Sequence, residues 1–257
     1  MESRWSDRDA AAMARHYAKS GVSEELALRV YTTRLLGNEP RLVQHGGGNT
    51  SLKTRMTDVT GDEVDVLCVK GSGWDMGSIE PAGLPAVRLD ALRRLATLDR
   101  LGDEDMVNAQ RGALLDSAAP NPSVETLLHA FLPHRFIDHT HANAVLALTD
   151  QANGAELCAE VYGDRVALVP YLMPGFALAK VARKVFDDHP DCEGMILLKH
   201  GIFSFGASAR EAYERMIEFA TLAEQRLKRG RRKQVSGAKA PARVAAADVA
   251  PILRGLV

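Results

Sequence analysis

The chain has little cysteine, no surplus of either charge and no long apolar run, and each shortage removes a class of function. Its three cysteines, Cys68, Cys158 and Cys192, are far apart and odd in number, and none sits in a C-x-x-C pair. No disulfide framework is expected, and the reading is a reduced, cytoplasmic protein. With 32 basic and 33 acidic residues the formal charge is -1, so no electrostatic capture of nucleic acid is expected. No apolar run approaches the roughly 20 residues of a membrane span. The opening Met1-Glu2-Ser3-Arg4 is charged where a signal peptide would be apolar, so neither membrane nor export is expected. There is no internal repeat, no G-x-x-x-x-G-K-[ST] and no G-x-G-x-x-G, which disfavours nucleotide binding.

What is present is a globular composition, 46% hydrophobic and 25% charged over 257 residues. That length buries one large core or at most two small ones. Helices are expected over 6–19, with Ser6 as N-cap, and from Ser23 to Gly37, where Leu28, Tyr31 and Leu35 recur at helical spacing. Gly46-Gly47-Gly48-Asn49-Thr50-Ser51 is a glycine-rich turn entering a strand. Val64, Val66 and Cys68 alternate in the next strand, which ends in Lys70-Gly71-Ser72-Gly73. Helices are expected over 85–98, over 123–131, near 152 and near 177, with strands around 137, 145, 166 and 195. A long helix starts at Ser208, where Ser208 and Glu211 form a capping box, and ends at Gly230 behind Lys228 and Arg229. Residues 231–257 read as a basic Ala/Gly/Pro linker and a short terminal helix, so that 1–230 form the domain. Interleaved strands and helices make a mixed α/β chain around one sheet.

The chemistry gathers at His139-Thr140-His141. Side chains alternate across a strand, so His139 and His141 share one face. His200, straight after the apolar run Met195-Ile196-Leu197-Leu198, could add a third nitrogen from another strand. Three protein ligands with an open position is the pattern of a catalytic metal site. The plain alternative is a pair of polar core or surface residues. Glu125 is equally open: an acid favoured by the dipole of its helix, or a carboxylate able to move a substrate proton. The loops at Gly46–Ser51 and Gly71–Gly73 and the helix opening at Ser123 are either simple turns or an anion cradle of backbone N–H groups, amides and hydroxyls. His129 could support Glu125. His16 and His189 read as solvated, while His45 and His134 stay undecided.

In order, Gly48-Asn49-Thr50-Ser51, Gly71-Ser72-Gly73, Pro122-Ser123-x-Glu125, His139-x-His141 and Lys199-His200-Gly201 resemble the class II aldolase/adducin family over roughly residues 20–230. His45–Ser51, Lys70–Gly73 and Leu128-His129-Ala130-Phe131-Leu132-Pro133 look most like the aldolase part of bifunctional rhamnulose-1-phosphate aldolase/alcohol dehydrogenases. Nothing after Gly230 provides a dehydrogenase half, so the expectation is a stand-alone aldolase or the aldolase part of a longer protein.

The resemblance implies a three-layer α/β/α fold with a largely antiparallel sheet, and a homotetramer. It implies Zn²⁺, or another divalent ion such as Mn²⁺ or Co²⁺, on His139, His141 and His200. It implies a substrate phosphate held by Asn49, Ser72, Gly73 and Ser123, although Val124 stands where relatives cleaving fuculose phosphate carry a further serine. Lys53 or Lys70 could compensate. The implied reaction is cleavage of a ketose 1-phosphate, rhamnulose 1-phosphate-like, to dihydroxyacetone phosphate and an aldehyde through a metal-stabilised enediolate. Glu125 would shuttle the proton, and Tyr162 or Tyr171 would serve the leaving aldehyde oxygen. The same scaffold also serves sugar-phosphate epimerases, dehydratases and decarboxylases, and adducin-like binding modules that have lost the ligands.

Overall fold

A computed structural model describes residues 1–44, 47–230 and 246–255. His45, Gly46 and most of the expected linker lie outside the described residues. The chain opens with two capped helices. In α1 (Asp7–Ala18) Ser6 accepts from the Asp9 N–H, and in α2 (Glu24–Gly37) Ser23 accepts from the Leu26 N–H. Seven strands follow among the helices: β1 (Asn49–Thr57), β2 (Glu63–Val69), β3 (Ala86–Arg88), β4 (Phe136–Thr140), β5 (Val166–Val169), β6 (Gly194–Leu197) and β7 (Gly201–Gly206). They form one sheet in the order β3-β2-β1-β4-β7-β6-β5. Every pairing is antiparallel except β5 with β6.

The remaining helices are α3 (Leu89–Arg94), α4 (Asp103–Gly112), α5 (Thr126–Phe131), α6 (Asn143–Thr149), α7 (Gly154–Tyr162), α8 (Phe176–Asp188), α9 (Ala209–Gly230) and α10 (Ala246–Arg254). Strand alternation sorts the core onto the two faces of the sheet. Leu67, Val69, Ile137, Phe203 and Phe205 pack under α3, α4, α5 and α8. Val66, Cys68, Phe136, Ile196 and Ile202 face α2, α6, α7 and α9. The result is the expected three-layer α/β/α fold with a mostly antiparallel sheet. No helix among the described residues is long and apolar enough to cross a membrane. All three cysteines are buried and free.

Four local readings change. The strand expected around 145 is helix α6, because Val145, Leu148 and Thr149 are buried at helical spacing. A short apolar run does not distinguish the two by itself. The helix expected over 85–98 begins as β3, which is paired to β2. The helix expected from 123 starts at Thr126, so Ser123 and Glu125 lie in the turn that leads into it. Strand β7 was missed: all six of its residues are buried, so it shows no polar alternation.

Both ends of the sheet are short. β3 has three residues and β5 four. The outer side of β3 is also occupied, since Arg88 donates to the Ala113 carbonyl and Leu115 to that of Ala86.

Candidate metal centre and substrate cavity

Three central strands deliver the site. β4 carries His139 on the face of Ile137 and Phe203, and its ring stacks on Phe203 at 4.2 Å. His141 follows just beyond the strand end. His200 comes from the turn between β6 and β7, where Lys199 adopts φ 60°. A non-glycine residue is uncommon in that left-handed region and is held there by its surroundings. One nitrogen from each of His139, His141 and His200 falls within 4.8 Å of the others. The His139 and His141 Nε2 atoms are 3.1 Å apart.

The donors suit a divalent ion. His139 Nδ1 is 3.1 Å from the Ile202 carbonyl. That contact assigns the ring proton to Nδ1 and leaves the Nε2 lone pair facing the centre. Burial, followed by the neighbouring His141 and His200, pushes the His139 pKa well below the usual histidine range. Burial also lowers those of His141 and His200, with Glu125 partly opposing it at His200. Three neutral imidazoles are what a borderline-soft divalent ion takes.

Close approach of these rings requires glycine at 201. A Cβ there would stand 2.6 Å from the Thr140 carbonyl oxygen, 2.9 Å from His139 Cε1 and 3.0 Å from His141 Cδ2. Gly201→Ala should therefore lower stability by about 1–3 kcal/mol, the usual cost of overpacking a tight site. Urea unfolding checks this; an unchanged midpoint would mean that the turn yields freely.

Glu125 sits beside the histidines. Its Oε2 is 3.3 Å from His139 Nε2 and its Oε1 is 3.2 Å from His200 Nε2. Burial raises its pKa, against the pull of His200 and Asn49. A short chain of polar groups fixes it. Asn49 Nδ2 donates to Glu125 Oε2 at 2.7 Å and to Ser123 Oγ at 3.0 Å. Asn49 Oδ1 lies 2.5 Å from His129 Nε2, and His129 Nδ1 lies 2.8 Å from Ser51 Oγ. Both polar ends of the Asn49 amide are thus engaged, with its donor side at Ser123 and Glu125 in the wall of the cavity. His129 supports Glu125 through Asn49.

A cavity of about 530 Å³ opens over this centre. Glu125, His141 and His200 line it together with the expected Asn49, Ser72, Gly73 and Ser123. Lys70, Trp74, Asp75 and Pro174 also line it. Lys70 was considered in the sequence, whereas the other three gave no signal there. Lys70 is buried, which lowers its pKa. Val124 is exposed at the wall.

The two tyrosines are not brought to the histidines. Tyr162 is buried in the core under α9, and its hydroxyl donates to the Phe219 carbonyl at 3.1 Å. That corrects its expected role as a proton donor. Tyr171 is 52% exposed and does not line the cavity, although its near neighbour Pro174 does.

Residues 27–227 match the family described as Class II Aldolase and Adducin N-terminal domain. The chain is 38% identical over 196 residues to the "Uncharacterized oxidoreductase YuxG" of Bacillus subtilis, covering 76% of this chain but only 28% of that protein's length. It is 28% identical to a methylthioribulose-1-phosphate dehydratase of Pseudomonas paraeruginosa over 62% of this chain and 87% of that protein. Among solved structures it is similar to the N-terminal class II aldolase domain of a conserved protein from Thermoplasma acidophilum. The TM-score is 0.79 at 36% identity, covering 88% of this chain and 99% of that one.

Proposed function

The chain belongs to the class II aldolase/adducin family, and from that premise we propose that it is a divalent-metal-dependent lyase cleaving a ketose 1-phosphate to dihydroxyacetone phosphate and an aldehyde. One observation carries the reading: the buried Glu125 carboxylate stands 3.2–3.3 Å from two of three clustered imidazole nitrogens, at the floor of a cavity. His139, His141 and His200 would hold the ion, Zn²⁺ being the first candidate. The bound ion supplies Lewis-acid withdrawal of charge from the substrate oxygens.

The protein's own groups handle protons and position. In cleavage the C3–C4 bond breaks, its electron pair stays on C3, and the C4 hydroxyl passes its proton to solvent as it becomes the aldehyde, which balances the proton added at C3. Glu125, in its protonated form, delivers a proton to C3. Asn49 and, through it, His129 keep the carboxylate aimed. Ser72, Gly73 and Ser123 would hold the phosphate, with the buried Lys70 as a donor in place of the hydroxyl that Val124 lacks. Tyr171 is the remaining candidate for the aldehyde oxygen. We further propose residues 1–230 as the catalytic domain, and a homotetramer with active sites near subunit boundaries. A stable monomer on sedimentation at micromolar concentration would contradict the tetramer.

A second reading, dehydration of a ketose 1-phosphate, is favoured by the similarity to a methylthioribulose-1-phosphate dehydratase. It uses the same carboxylate to move a proton beside the carbonyl, but breaks a carbon–oxygen bond. A panel of ketose 1-phosphates, including rhamnulose 1-phosphate and methylthioribulose 1-phosphate, separates the two. Cleavage releases dihydroxyacetone phosphate; dehydration releases water and keeps the carbon chain whole. Preference for unphosphorylated ketoses would reject both.

Metal content provides an independent prediction. His141→Ala protein should purify with far less divalent metal than the parent. Equal content in the two proteins would remove the three-histidine centre from the reading.

A further inference from the structure

A second cavity, of about 500 Å³, shares no lining residue with the first. Strand alternation places Lys53 on the same face of β1 as Asn49 and Ser51, four residues or ~13 Å further along. Lys53 lines this hollow together with Arg55, Arg93 and Arg135, against a single acid, Asp65. Two of these cations are already matched. Arg55 pairs with Asp65 at 3.1 Å, and Arg135 pairs with Glu25. The other two are not: among the described residues neither Lys53 nor Arg93 has a carboxylate partner.

Lys53 is the unusual member. It is only 8% exposed, and its Nζ donates to the His134 carbonyl at 2.6 Å. Lysine is almost never buried without a counter-charge. An ammonium has three donors, so two of them have no partner among the described residues. Burial first, and then the charge of Arg93, hold its pKa down to about 7. A negative group beside it would reverse that strain. The hollow also has the size of small-molecule sites, which typically run to about 300–1,000 Å³.

We propose that the hollow between β1, α3 and the segment leading into β4 binds a small multivalent oxyanion, a phosphate or phosphorylated metabolite, with Lys53 and Arg93 as its principal ligands. The site is distinct from the substrate cavity. A phosphate group would accept from the Lys53 ammonium and the planar Arg93 fork, and such charge-assisted hydrogen bonds are the stronger kind.

Equilibrium dialysis with labelled inorganic phosphate at constant ionic strength counts the sites on the full chain. The parent should bind one more phosphate than the Lys53→Met/Arg93→Ala variant. Because both changes could disturb packing, Arg93→Ala is measured separately; α3 exposes this side chain, so the fold should survive. It should weaken the same site at least several-fold. Ser72→Ala, in the other cavity, should leave this site unchanged. The proposal fails if the double variant binds as much phosphate as the parent, or if the extra phosphate disappears with Ser72→Ala instead. It also fails if the double variant changes only the sedimentation coefficient, which would make the hollow a seat for an acidic surface of a second copy.

Discussion

Glu125→Gln protein should fold, bind metal and turn over substrate about 10² to 10⁴ times more slowly than the parent, the usual cost of losing a general acid–base group. Glutamine keeps the length and shape of the side chain. The Asn49 donor, 2.7 Å from Oε2 in the parent, still finds a carbonyl oxygen in one amide orientation. What disappears is the capacity to take up and release a proton at 3.2–3.3 Å from His139 and His200. Three measurements keep the result specific: metal content, thermal midpoint and turnover. A normal rate would reduce Glu125 to an acid stabilising a helix start. A lost metal would make it a structural neighbour of the histidines and not the proton carrier.

Arg29→Met should cost about 3–5 kcal/mol of stability, the range found when one partner of a buried ion pair is removed. Arg29 on α2 and Asp138 on β4 are both fully buried and lie 2.5 Å apart. Asp138 precedes His139 and points to the opposite face of the sheet. Arg29 also donates to Thr32 Oγ1 at 2.6 Å. Without the guanidinium, Asp138 would be an uncompensated carboxylate in the core. Urea unfolding gives the loss, and Arg29→Met/Asp138→Leu should recover part of it. A single variant within about 1 kcal/mol of the parent, well below that range, would show that the pair does little to hold α2 against β4.

Much of this architecture was readable because some signals are local. Ser6, Ser23 and Ser208 cap the helices assigned to them, while Glu211 accepts from the Ala207 N–H, one residue before the cap, so only the serine half of the expected box forms. Alternation along Phe136–Thr140 correctly separates His139 from its neighbours, and His200 could be added because it follows a buried run. The missed features depend on tertiary context. β7 and α6 are both short apolar stretches, and only pairing with β4 and β6 makes the first a strand. Asn49 reads as a free amide until His129, 80 residues away, is seen on its oxygen. Tyr162 is a plausible acid in sequence, but its hydroxyl is spent on Phe219. Lys53 reads as a possible aid to the substrate phosphate; the structure instead buries it with its ammonium on the His134 carbonyl, beside the second hollow.

The shortness of the sheet's ends bears on how copies of this chain can associate. Growth of one sheet into another needs a long row of unpaired N–H and C=O groups as a template. At one end β3 offers three residues, and its outer side is already taken by the segment through Leu114. At the other, β5 offers four. Strand-to-strand recruitment is therefore poorly templated at both margins, and fibre-like growth of the folded protein is disfavoured even when it is concentrated. Among the described residues, any association of copies is left to side chains on helices and loops. The number of copies then becomes adjustable by surface substitution, without disturbing the strands that hold the histidines.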